Sequence, residues 1–208
     1  MRIAHVTALA RREGGTESHV LALAAAQAAR GDDVTIVHAH GEAEPMPGVR
    51  TVRANDEALA RLDAEIVQIH GTPLARAAES ALARRHTIVR SLHDFSFGCA
   101  SGDYYFRNGT ACTRAHGPGC LAGIGIRGCS HRLDIRPSLA RYAAIRRDLP
   151  LVRAADAVVV YSQFVRRAAL ANGIAASRCH PSAVSGPNHG CRCAPAERRS
   201  AIRSTRAR

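Results

Sequence analysis

Residues 2–39, RIAHVTALARREGGTESHVLALAAAQAARGDDVTIVHA, decide the fold. The run 2–9 is short and mostly apolar and reads as a strand. A charged loop leads from it to Gly14 and Gly15. The Ala/Leu-rich stretch 16–30 follows, with Val20, Leu21, Leu23, Ala24, Gln27 and Ala28 on one broad apolar face, the mark of a helix packed against a core. Gly31 is its natural stop, because a glycine beyond the last turn takes a left-handed backbone without steric cost. The β-branched run 33–39 is the next strand. Both strands are too continuously apolar to face water on either side. Strand, helix and strand therefore predict parallel pairing under helices that cover both faces.

The alternation continues outward from this unit. A loop at 45–48, PMPG, precedes a short strand at 49–53, and 55–62 holds one or two helical turns. The segment 65–71, EIVQIHG, is a strand ending in glycine. A helix is expected over 73–85 with Pro73 at its first position, where no N–H is required. The segment 87–94, TIVRSLHD, is a strand. Residues 95–136, rich in Gly, Cys, Ser, Asp and Asn, break the rhythm and read as a long loop or insertion. A helix follows over 137–155, in which Pro150 is expected to kink or break the chain. The run 156–162 is a strand, and 162–173 is a helix with Ser162 as N-cap and Asn172-Gly173 as its stop. The fold class is α/β: a Rossmann-like parallel sheet with helices on both faces, a Cys-rich insertion and a disordered tail.

Composition bounds the function. A chain of 208 residues that is 46% hydrophobic supports one sizeable core. There is no apolar run of the roughly 18 residues that a membrane-spanning helix needs, and the N-terminus lacks the order of a signal peptide, so a cytoplasmic location is expected. The net charge of +12 comes entirely from arginine, with no lysine. Aromatic residues are only 4% and no basic stripe interleaves with them, so nucleic acid is not an expected partner. Peripheral contact with the inner membrane face is compatible with the basic surface.

The loop 9–15 joins the first strand to the first helix and so lies at the carboxyl edge of the sheet, where ligands bind in such folds. Gly14-Gly15 serves either a plain tight turn or the close approach of a ligand to bare backbone. The helix beyond it offers unpaired N–H groups and a partial positive charge, a ready site for phosphate. Glu17 in the first turn suits the helix dipole. The spacing matches neither G-x-G-x-x-G nor a Walker loop, so ordinary dinucleotide or ATP binding is not supported.

Four stretches in register, "MRIAHVTAL…EGGTESHVLALAAAQAARGDDVTIV", "AEIVQIHG", "TIVRSLHDFSFGC" and "VRAADAVVVYSQFVRRAALANGI", resemble the family-four retaining glycosyltransferases of GT-B fold. The match covers 1–178 and corresponds to the N-terminal, acceptor-side half. The resemblance implies transfer of a sugar from a nucleotide-sugar to an acceptor hydroxyl, the acceptor being a glycan, a lipid-linked glycan or a small molecule. It implies no cofactor and no divalent metal. Gly14, Gly15 and Thr16, with Glu17, would approach the donor's diphosphate and reacting sugar. His93 would lie near the donor sugar and acceptor hydroxyl, bonding and polarising as charge develops on the leaving diphosphate. It would not be a general base, because in such enzymes the departing phosphate is thought to take the acceptor's proton. The bland alternative makes His93 a strand-end cap. Asp94 either orients His93 or opens a turn. His5, His38, His40 and His70 read as packing or surface residues.

The insertion carries Cys99, Cys112, Cys120 and Cys129, separated by 12, 7 and 8 residues. No C-x2–4-C pair occurs, so a metal site is not expected. A four-thiolate site, disulfides, or thiols acting as small buried groups all remain open. The insertion follows His93 directly and is expected to shape the acceptor pocket. Tyr104, Tyr105 and Phe106 either stack on a sugar or pack the loop. After 178 the pattern stops. Residues 179–208 hold six arginines and one glutamate and show no periodicity, a composition that predicts a disordered basic tail. The change has the look of a frameshifted reading that ends the enzyme early, leaving this chain inactive alone. The competing expectation is a non-catalytic Rossmann-like module whose basic tail docks on membranes or partners.

Overall fold

The computed structural model describes residues 1–71, 74–126, 129 and 135–182. Its strands are β1 (Arg2–Thr7), β2 (Asp33–His38), β3 (Val49–Arg53), β4 (Ile66–His70), β5 (Thr87–Leu92), β6 (Ala157–Val160) and β7 (Cys179–Pro181). Its α-helices are α1 (Gly15–Ala29), α2 (Asp56–Ala60), α3 (Arg76–Ala83), α4 (Gly119–Gly125), α5 (Arg136–Ala154) and α6 (Gln163–Ala171). The strands form one sheet in the order β3-β2-β1-β4-β5-β6-β7, and every pairing is parallel. The chain winds outward one way through β1, β2 and β3 and the other way from β4 onward. The switch point between β1 and β4 is where such sheets leave a crevice at the strands' carboxyl ends.

The pleat sorts side chains onto two faces. Val34 and Ile36 of β2 pack with Leu21 and Ala24 of α1. Ala4, Val6 and Val37 point the other way, into the larger core. That core also takes Leu59 of α2, Leu82 of α3, and Ile145, Leu149 and Val152 of α5. Burial on both faces is why the strands read as nearly unbroken apolar runs.

Four expectations need correction. The helix placed at 73–85 begins at Arg76, and Pro73 lies outside the described residues. Pro150 sits inside α5 and does not break it, since the helix runs from Arg136 to Ala154 as one element. Its ring is exposed, the carbonyl it leaves unpaired can turn to water, and Leu149 and Val152 on either side are held in the core. The insertion is not wholly irregular, since it contains α4. The sheet also continues past 178. Cys179, His180 and Pro181 pair with Val158, Val159 and Val160 as edge strand β7, and three residues are too few for periodicity to announce them. The disorder expected beyond β7 falls on 183–208, outside the described residues.

Candidate functional site

A cleft of about 280 Å³ opens at the carboxyl edge of the sheet. It is lined by Thr7 and Ala8 at the end of β1, Thr16 and Glu17 of α1, His70 and Gly71 at the end of β4, and Arg90 to Asp94 at the end of β5. Small-molecule pockets span roughly 300–1,000 Å³, so this one lies at the small end of that range. Of the residues singled out from sequence, Thr16, Glu17, His93 and Asp94 line the cleft together. Gly14 and Gly15 immediately precede Thr16 and are exposed.

The glycines are not there for their backbone angles. Gly14 has φ −149° and ψ −178°, an extended conformation any residue adopts, and Gly15 is not among the glycines at positive φ. What they provide is space. A Cβ on Gly15 would meet nothing within 4 Å, and one on Gly14 would meet only the Glu17 carboxylate, at 2.7 Å. No side chain caps the first turn of α1, so its N–H groups face an open approach. The Glu17 carboxylate lies beside them, where an anion is favoured.

His93 is held by aromatic neighbours. Its Nε2 is 2.9 Å from His70 Nδ1. Its ring stacks on Tyr161 with centroids 4.6 Å apart and meets the His19 ring edge-on at 5.3 Å. Tyr161 in turn bonds His19 Nε2 through its hydroxyl at 3.1 Å. Burial, reinforced by His19 and opposed by Asp94, lowers the His93 pKa to about 4. Behind it, His70 Nε2 lies 3.1 Å from His5 Nδ1, and His5 Nε2 lies 2.6 Å from Gln27 Oε1. Burial pushes the pKa of His5 down and that of His70 well down. His5 and His70, read from sequence as packing or surface residues, are thus part of the support for His93. Asp94 does not orient the ring: its Oδ1 accepts from Ser96 N at 2.9 Å and Ser96 Oγ at 2.6 Å, so it opens a turn.

Sequence reasoning also missed Arg90. It is 2% exposed and lines the cleft. Its Nη1 donates to both Glu79 oxygens at 3.0 Å, joining β5 to α3. A lone arginine in a strand gives no sign of its partner, and only the packing of α3 supplies the carboxylate.

The insertion is tied down by Asn172, which is fully buried. Asn172 Nδ2 donates to Tyr104 Oη at 2.6 Å and to Ala168 O at 2.8 Å, while His116 N donates to Asn172 Oδ1 at 2.8 Å. Tyr104 is a packing residue, 2% exposed and set edge-on to Phe95 at 5.5 Å. Tyr105 stacks on Phe164 at 6.1 Å. Cys99, Cys112, Cys120 and Cys129 are free thiols that line one small cavity beside Tyr104 and Ile124. Burial raises the pKa of Cys120 and Cys129. Among the described residues no group of three or more His, Cys, Asp or Glu is arranged to hold a metal ion.

A parallel α/β sheet with a cleft at its switch point, an open helix N-terminus and an imidazole at the strand end defines a Rossmann-like ligand-binding domain. The family model Glycosyltransferase Family 4 matches residues 13–181. The chain belongs to that family. Among solved structures it is similar to sucrose-phosphate synthase from Thermosynechococcus elongatus, with 13% identity and a TM-score of 0.51 over 87% of this chain and 47% of that one. The likeness is one of fold, and the chain spans about half the length of that relative. Weaker likenesses are to an alpha-glucosyltransferase in complex with UDP and a 13-mer DNA (16% identity, 78% and 37% of the chains, TM-score 0.38) and to vestitone reductase from alfalfa (8% identity, 77% and 56%, TM-score 0.42). No curated protein matches the chain. Among the described residues no helix is long and apolar enough to cross a membrane.

Proposed function

We propose that this chain is the acceptor-side domain of a glycosyltransferase that moves a sugar from a nucleotide-sugar to an acceptor hydroxyl with retention of configuration. The observation that carries the reading is the sharing of one cleft by the first turn of α1 and His93. The open backbone at Gly14, Gly15 and Thr16 receives the donor's diphosphate and reacting sugar. His93 contacts hydroxyl groups of the reacting pair. The departing phosphate, on the same face as the incoming hydroxyl, takes the proton. No metal or cofactor is required in this reading. Retention, the donor and acceptor roles and the positions of the contacts rest on the family resemblance.

Most contacts to the nucleotide are expected from a second Rossmann-like domain, so the chain alone should turn over nucleotide-sugars negligibly. Titrating ¹⁵N-labelled protein with UDP-glucose and GDP-mannose tests the site. Saturable shifts at the amides of Gly14, Gly15 and Thr16 together with His93 support it, and saturable shifts confined elsewhere refute it. Donor hydrolysis or transfer well above background by the purified chain would refute inactivity alone.

A further inference from the structure

An amide and three imidazoles form an unbroken hydrogen-bonded row from α1 to the cleft: Gln27 Oε1, His5, His70 and His93, at 2.6, 3.1 and 2.9 Å. Register explains the row. His5 pairs with Gln68 and His70 with Ser91, so His5, His70 and, two residues past Ser91, His93 share one face of the sheet. That is the face of Val34 and Ile36, which α1 covers.

The row has a direction. An amide oxygen only accepts, so His5 Nε2 carries a proton. A neutral imidazole has one N–H and one lone pair, and burial keeps these rings neutral. His5 Nδ1 is therefore an acceptor, and the proton between it and His70 sits on His70 Nε2. His70 Nδ1 is then an acceptor, and the next proton sits on His93 Nε2. This leaves Nδ1 of His93 as a lone pair on a residue that lines the cleft. The titratable groups around His93 are His70 from β4, His19 from α1, Tyr161 after β6 and Asp94 beside it.

We propose that Gln27 is a positioning residue. Acting through His5 and His70, it holds the His93 proton on Nε2 and makes Nδ1 a hydrogen-bond acceptor, suited to a sugar or alcohol hydroxyl and unsuited to a phosphate oxygen. The ligand class rests on the proposed function, whereas the placement of the proton does not.

Long-range ¹H–¹⁵N spectra of the full chain with ¹⁵N-histidine, recorded near pH 7 without ligand, read the tautomer directly. The expected result is a single His93 species protonated on Nε2 in the native protein and in Gln27→Glu, whose carboxylate still accepts from His5. Gln27→Leu frees the row to run either way and should split His93 into two tautomers. A native His93 protonated on Nδ1 would overturn the proposal, and this reading stands even if Gln27→Leu does not fold. A folded Gln27→Leu that keeps the single tautomer overturns it equally. Because no ligand is present, a wrong tautomer leaves the nucleotide-sugar titration intact, and a failed titration leaves the tautomer result intact.

Discussion

His93 shows how one residue's chemistry is set by those behind it. An exposed imidazole titrates near physiological pH. Here burial and the neighbouring histidines lower the pKa of His5 and His70 below the ordinary value and that of His93 to about 4. The same shift links folding to pH. Below about 6.5 the unfolded chain takes up protons on His5, His70 and His93 that the folded chain refuses, so acid favours unfolding. Stability present above pH 6.5 should be lost progressively as pH falls toward 4, seen as a declining thermal midpoint. Replacing His70 with Asn should flatten that decline, and an unchanged slope would argue against the row as its source. Asp94 shows the opposite case: its carboxylate is hydrogen-bonded to Ser96 and acts on the imidazole through charge alone.

At the scale of elements, the helices divide by how they begin. Ser162 accepts from Val165 N at 3.1 Å and Asn55 accepts from Ala58 N at 2.7 Å, so α6 and α2 are capped by side chains. The longer α1, at the cleft, has no such cap. Ser162→Ala should cost about 1 kcal/mol, read as a lower urea midpoint with an unchanged slope. The cap of α6 was legible in its local sequence, because Ser162 stands directly before the apolar-periodic run. The edge strand β7 was not, because its pairing with β6 is a contact with residues some twenty positions away and leaves no pattern in three residues.

At the scale of the molecule, Asn172 joins the insertion to α6. It stops α6, and the turn is completed by Gly173 at φ +80°. Its amide also holds Tyr104 and His116. Asn172→Ala removes these bonds and leaves the buried Tyr104 hydroxyl without this partner, an orphaned buried group costing about 1–3 kcal/mol, and frees the part-buried His116 N–H. Amide hydrogen exchange over residues 99–126 should speed up while that of β1 and β4 stays slow. Equal acceleration in both would show that the insertion and sheet open as one unit.

The alternation of strands and helices and their parallel pairing were readable from the chain, since each rests on local periodicity or on a run of neighbouring residues. The carboxyl-edge rule located the loop before α1, and the family resemblance set His93 beside it; both line one cleft through Thr16 and His93. Tertiary structure alone decided the row from Gln27 to His93, the Arg90–Glu79 pair, the double duty of Asn172 and the meeting of four widely spaced cysteines. Each joins side chains whose proximity depends on strand register or on the docking of a helix, and neither leaves a trace in residue spacing.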